Sequence, residues 1–156
     1  MAEELLIKFL IIFIIDRMQV KKIFECSVEE VCELPFFDTK IQAGLPSPVD
    51  GHMCNRLDLN KQLIKHPNST FFVQVTGESM IDAGIKENDL LVVDKAIQPT
   101  NNKIVIAVVN NEFTVKRLKI IDNETYLVPE NKDFQPMKIG EGCYIWGVVT
   151  SVIQQF

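Results

Sequence analysis

Thr76-Gly77-Glu78-Ser79-Met80 sets a serine directly after a run of strand-forming residues, and Gly77 lets another backbone come close while the chain turns. A serine displayed in this way can attack a peptide carbonyl, provided a nearby base takes its proton. His52 and His66 lie in turn-rich text expected at the surface and make weak claims to that role. The other chemically competent base is a lysine. Lys116 stands within Phe113-Thr114-Val115-Lys116-Arg117-Leu118, where strand alternation puts its side chain on the face of Thr114 and Leu118, opposite Arg117. An exposed lysine, with a pKa of ~10.4, is almost wholly charged at neutral pH. Burial that brings it to ~7.4 leaves roughly a quarter neutral at pH 7, able to accept the Ser79 proton. The backbone N–H groups of Ser79 or Met80 are candidates for holding the developing oxyanion. Spacing by itself leaves the plain alternative open: a serine after glycine is commonly a turn residue, and a strand lysine commonly faces solvent.

These side chains need a scaffold, and from Thr70 onward the sequence reads as β. Phe71 to Val75, Asp89 to Asp94, Lys103 to Val109, Glu112 to Ile120, Thr125 to Val128 and Cys143 to Ile153 are short runs rich in Val, Ile, Phe and Tyr, separated by turn residues. Six such strands imply a closed or strongly curled, mostly β domain. Asn110-Asn111 predicts a two-residue hairpin, because asparagine tolerates the positive φ that such a turn requires. Arg56 to Ile64 suits a short helix or an ordered loop, which His66-Pro67-Asn68-Ser69 then interrupts. Upstream, Leu34-Pro35-Phe36-Phe37 and Ala43-Gly44-Leu45-Pro46-Ser47-Pro48 disfavour a regular helix or a central strand. The expected organisation is an extended arm over residues 1–44 and a β body over residues 45–156.

A chain of 156 residues with 47% hydrophobic content suits one compact domain with a genuine core. Its formal net charge of -5 argues against strong sequence-independent nucleic-acid binding. Cys26, Cys32, Cys54 and Cys143 are irregularly spaced and form no ligand set with the histidines, which suits a reduced, cytoplasmic protein with no metal site. Asp82, Asp89 and Asp94 read as turn or strand-end residues rather than a metal cluster, and Trp146 and Phe134 as core or dimer contacts rather than a cofactor cradle. Leu5 to Ile15 is apolar apart from Lys8, yet a membrane-spanning helix needs roughly 20 such residues. Glu3 and Glu4 also spoil a secretory signal. Either this segment is an interfacial or partner-binding helix, or the natural product starts at Met18 and residues 1–17 are an upstream extension.

The text around both candidate residues resembles the peptidase domain shared by LexA, phage repressors and UmuD. Gly77 to Ile85, followed by Asn88 to Asp94, is similar to that family's nucleophile segment, and Glu112 to Leu118 to its lysine strand. Ala43-Gly44-Leu45-Pro46-Ser47-Pro48 resembles the scissile segment, which makes Ala43–Gly44 the expected cleaved bond. Leu57-Asp58-Leu59-Asn60, His66-Pro67 and Trp146-Gly147-Val148-Val149 bring the likeness closest to UmuD, over about Ile23 to Val152. LexA-like repressors carry a helix-turn-helix domain before the scissile bond, and the space before Gly44 is too short for one.

The resemblance implies a LexA-like β fold, a Ser79–Lys116 dyad without cofactor, and a homodimer in the bacterial response to DNA damage. It further implies self-cleavage stimulated by a RecA filament on single-stranded DNA, after which the product acts with a UmuC-like Y-family polymerase subunit. Two other readings stay open on sequence alone. One is a signal-peptidase-like serine-lysine protease anchored by Leu5 to Ile15. The other is an inert interaction module or repressor fragment of the same fold.

Overall fold

The computed structural model describes residues 19–25, 33–36 and 55–156. Ala43, Gly44, His52, three of the four cysteines and the apolar segment Leu5 to Ile15 lie outside the described residues.

Ten strands account for most of the described chain: β1 (Gln19–Glu25), β2 (Glu33–Phe36), β3 (Asn55–Asp58), β4 (Thr70–Thr76), β5 (Leu90–Asp94), β6 (Ile104–Val109), β7 (Glu112–Ile121), β8 (Glu124–Val128), β9 (Met137–Lys138) and β10 (Cys143–Ile153). A short helix, α1 (Leu59–Leu63), follows β3 and is capped by the Asp58 carboxylate, which accepts from the Asn60 and Lys61 amides. β2 and β3 form a separate antiparallel ribbon. Pro35 is admissible there because a two-stranded ribbon leaves one side of each strand without ladder bonds.

The remaining strands form one sheet in the order β1-β4-β5-β10-β6-β7-β8-β9, and a further pairing of Gln19 with Thr114 joins β1 to β7. That pairing closes a six-stranded barrel, with the β8–β9 pair extending from β7. The expectation of a mostly β, strongly curled domain therefore holds. β1 falls within the stretch read as an extended arm, yet it pairs antiparallel with β4 from Gln19↔Thr76 to Glu25↔Phe71.

Alternation along the central strands builds two cores. Val73, Val75, Met80, Ile85, Leu91, Val93, Ile106 and Val115 pack in one. Val105, Ala107, Leu118, Leu127 and Val148 pack in the other. β6 sends Ile106 to the first and Val105 and Ala107 to the second, so this strand is buried on both faces and reads as a continuous apolar run. Trp146 fills the rim of the first core between Phe71 and Phe113, at ring-centroid distances of 5.1 and 5.4 Å.

The hairpins use the expected chemistry. Asn110 and Asn111 have φ of 49° and 68°, the twist-matched turn between β6 and β7. Asp122 and Asn123, at 51° and 62°, repeat the device between β7 and β8.

Candidate active site

The serine turn begins where β4 ends. Gly77 has φ of 98°, a conformation that favours glycine, and it swings the chain out of the strand. Three residues later Met80 is fully buried in the first core and pins the turn from the other side. Ile81–Ala83 then makes a single 3-10 turn that ends at Gly84 in the left-handed region. Ser79 is thus held between a strand end and a core anchor, and its own side chain has no solvent exposure.

Lys116 is on β7 opposite Val105 of β6, on the face that carries Leu118. Its side chain is 1% exposed, the largest fully buried side chain among the described residues. The amine lies 2.9 Å from Ser79 Oγ and 3.0 Å from Thr114 Oγ1. At 2.9 Å a charged ammonium donates to the hydroxyl, whereas a neutral amine accepts its proton. The structure therefore brings together two residues 37 positions apart in sequence, on elements that share no ladder pairing.

The main-chain carbonyl of Ser79 accepts from the Glu130 amide at 2.8 Å, and that of Met80 accepts from Ala83 and Ile85. Among the described residues, the N–H groups of Ser79 and Met80 donate no backbone hydrogen bond. The turn is tied further to the segment after β8. The Asp82 amide donates to the Glu130 carbonyl at 2.8 Å, and Asn131 Nδ2 donates to the Glu78 carbonyl at 3.0 Å. Sequence reasoning did not single out Glu130 or Asn131, because their partners in the turn are main-chain groups that no motif records.

Of the two histidines, His66 engages Asp94 instead, with Nδ1 2.6 Å from Oδ2. Asp94 also accepts from Ser69 Oγ and the Ala96 amide. Burial pushes the Asp94 carboxyl up, but the hydrogen bond to His66, the Ala96 amide and Ser69 outweigh it and hold the group below the usual carboxylate range. Asp89 accepts from the Lys86 amide and Gln154. No three His, Cys, Asp or Glu side chains gather as a metal site among the described residues. Cys143 is a free, half-buried thiol whose burial pushes its pKa up.

A family model described as peptidase S24-like matches residues 35–150. The chain belongs to that family. Among S24-like relatives, MucA of Salmonella typhimurium is 42% identical over 132 residues, spanning 82% of this chain and 90% of MucA. ImpA of Escherichia coli is 43% identical over 122 residues, spanning 78% of this chain and 83% of ImpA. The LexA repressor of Clostridium perfringens is 34% identical over 128 residues, covering 82% of this chain but 62% of the repressor. This S24-like chain is thus a member of a serine peptidase family that includes self-cleaving proteins, and its likeness is to the UmuD-like, SOS-mutagenesis-related side of that family. Among its described residues no helix is long and apolar enough to cross a membrane.

Proposed function

We propose that this chain is a UmuD-like protein of the DNA-damage response that cuts its own Ala43–Gly44 bond with Ser79 as nucleophile and Lys116 as general base. The observation that carries the reading is the 2.9 Å approach of a fully buried lysine amine to a fully buried serine hydroxyl. Desolvation of this order penalises the ammonium form and favours the neutral amine that the reaction needs.

In the forward step Ser79 Oγ bonds to the Ala43 carbonyl carbon as its proton passes to Lys116. The carbonyl oxygen becomes an oxyanion, for which the N–H groups of Ser79 and Met80 are the candidate donors. Collapse breaks the bond to Gly44, whose amine leaves with the proton returned by Lys116. Water then attacks the acyl-serine, and Lys116 again takes and returns a proton. Small side chains at Ala43 and Gly44 suit deep docking of the chain at a site closed to solvent. Ser79 has no exposed surface, which favours a tethered segment of the protein over a freely diffusing substrate.

The wider role rests on the resemblance to UmuD and on the similarity to MucA and ImpA. A RecA filament on single-stranded DNA would favour the arm-docked form by population shift and add no catalytic group. The cleaved product, a homodimer in the cytoplasm, would act with a Y-family polymerase subunit in translesion synthesis.

The test is intact-mass analysis of purified protein incubated at mildly alkaline pH, with and without RecA filaments. Paired fragments ending at Ala43 and beginning at Gly44 are expected, and Gly44→Glu should block their formation. A chain that stays whole under both conditions returns the reading to an inert interaction module.

A further inference from the structure

We infer that Arg117 and Glu130 form a positioning pair that locks the Ser79 turn onto the strand bearing Lys116, and so maintains the approach of hydroxyl to amine. The inference rests on the reading of Ser79 and Lys116 as nucleophile and base.

Proton transfer between these groups needs a heavy-atom separation of about 2.6–3.2 Å, and a misplacement of about 1 Å can cost on the order of 100-fold in rate. Yet β4 and β7 share no direct ladder: Gln19 of β1, opposite both Thr76 and Thr114, links the two strands only as far as Thr76, and the turn that carries Ser79 lies beyond that pairing. What spans the gap is the segment after β8. Glu130 holds the turn through both main-chain groups, its amide donating to the Ser79 carbonyl and its carbonyl accepting from the Asp82 amide, each at 2.8 Å. Asn131 adds a bond to the Glu78 carbonyl at 3.0 Å. The turn is therefore gripped at Glu78, at Ser79 and at Asp82 by two consecutive residues.

Those two residues lie outside any strand, so their own placement must come from elsewhere. It comes from β7. Arg117 Nε donates to Glu130 Oε1, and Arg117 Nη1 donates to the Asn102 carbonyl at 2.7 Å. The planar guanidinium fork meets two acceptors in a fixed geometry, which an ammonium group does not reproduce. The pair is partly buried, with side chains 24% and 28% exposed. Arg117 follows Lys116 directly, so one strand reaches the serine turn by two routes: through the amine to the hydroxyl, and through the guanidinium to the carboxylate of Glu130, whose main chain holds the turn.

The experiment measures the first-order rate of self-cleavage of the full chain from pH 7 to pH 10. The variants are Arg117→Ala, Glu130→Ala, the double substitution, Arg117→Lys and Glu130→Gln, with Ser79→Ala as the blank and thermal unfolding followed in parallel. Each alanine variant should remain folded and lower the plateau rate by at least tenfold, while the double variant is no slower than either single one. Arg117→Lys and Glu130→Gln should recover part of the loss. The pH midpoint should stay at the wild-type value, and hydrogen exchange of the Glu130 amide should accelerate.

Alanine variants that cleave at the wild-type rate overturn the positioning role alone. So do midpoints that move apart, upward for Arg117→Ala and downward for Glu130→Ala, since loss of a cation or an anion near Lys116 would do that by charge without any change of position. A wild-type chain that cleaves no faster than Ser79→Ala overturns the dyad reading itself, and the positioning role with it. Should Arg117→Ala fail to fold, Glu130→Ala and Glu130→Gln carry the same comparison.

Discussion

A lysine with 1% exposure is an uneasy tenant of a β core, and burial at such a cost supports the role proposed for its amine. Taking a cationic group out of water is unfavourable, and the Ser79 and Thr114 hydroxyls return part of that cost as hydrogen bonds. Lys116→Met keeps the volume and removes the polar atom. It should abolish self-cleavage while leaving the melting temperature unchanged or raised, which thermal unfolding and intact mass together would check. Lys116→Ala should also stop cleavage but lose about 2–4 kcal/mol through the cavity it leaves, read by urea titration. Ser79→Ala should be inactive in cleavage and lose about 1 kcal/mol of stability, because the buried Lys116 amine gives up one hydrogen-bond partner. Full self-cleavage in Lys116→Met would remove the amine from the chemistry. At this scale the motif around Ser79 and the lysine strand were legible from residue types and resemblance. Their mutual distance was not, because it depends on Met80, Glu130 and Asn131, which act through packing and main-chain carbonyls.

Among the elements, the strands that alternate or run apolar were readable to within a residue at each end, from β4 through β8 and again at β10. β1 escaped notice because Gln19-Val20-Lys21-Lys22-Ile23-Phe24-Glu25 has no period-2 apolar pattern, and the structure shows why: most of its residues are exposed. β9, with two residues, is too short to leave a pattern. The Asp122-Asn123 hairpin was as legible in principle as Asn110-Asn111, since both pairs carry side chains that tolerate positive φ. β10 contains a tighter constraint. A Cβ on Gly147 would lie 2.7 Å from Val93 Cγ1 and 3.5 Å from the Asp94 carbonyl, at an irregularity in the β10–β6 register. Gly147→Ala should therefore destabilise the fold by about 1–3 kcal/mol, with a matching fall in the urea midpoint. An unchanged midpoint would mean that β5 and β10 separate without penalty.

For the whole molecule, two features couple distant parts of the barrel. Asp94 ends β5 and joins His66, Ser69 and the Ala96 amide. Because its folded-state pKa lies below the ordinary carboxylate value, its contribution to stability is fully present above that ordinary value, near 3.8, and is lost as pH falls through the folded-state pKa. Stability measured from pH 6 down to pH 2 should fall in that acid window, and Asp94→Asn should start lower at pH 6 and show a shallower fall. The second feature is the pairing of Gln19 with Thr114, through which β1 completes the barrel beside the residue that meets the Lys116 amine. Any cut within residues 37–54 leaves β1 and β2 on one polypeptide and β3 through β10 on another. Hydrolysis would thus yield a nicked, two-chain protein whose smaller piece is held, through its described strands, by pairing of β1 to β4 and of β2 to β3, with most of β1 exposed. The two pieces should co-elute in native gel filtration and part in denaturant. Under the proposed reaction, bond breaking and departure of the upstream piece would run on separate clocks, and the slower of the two would decide when the altered surface is first laid open.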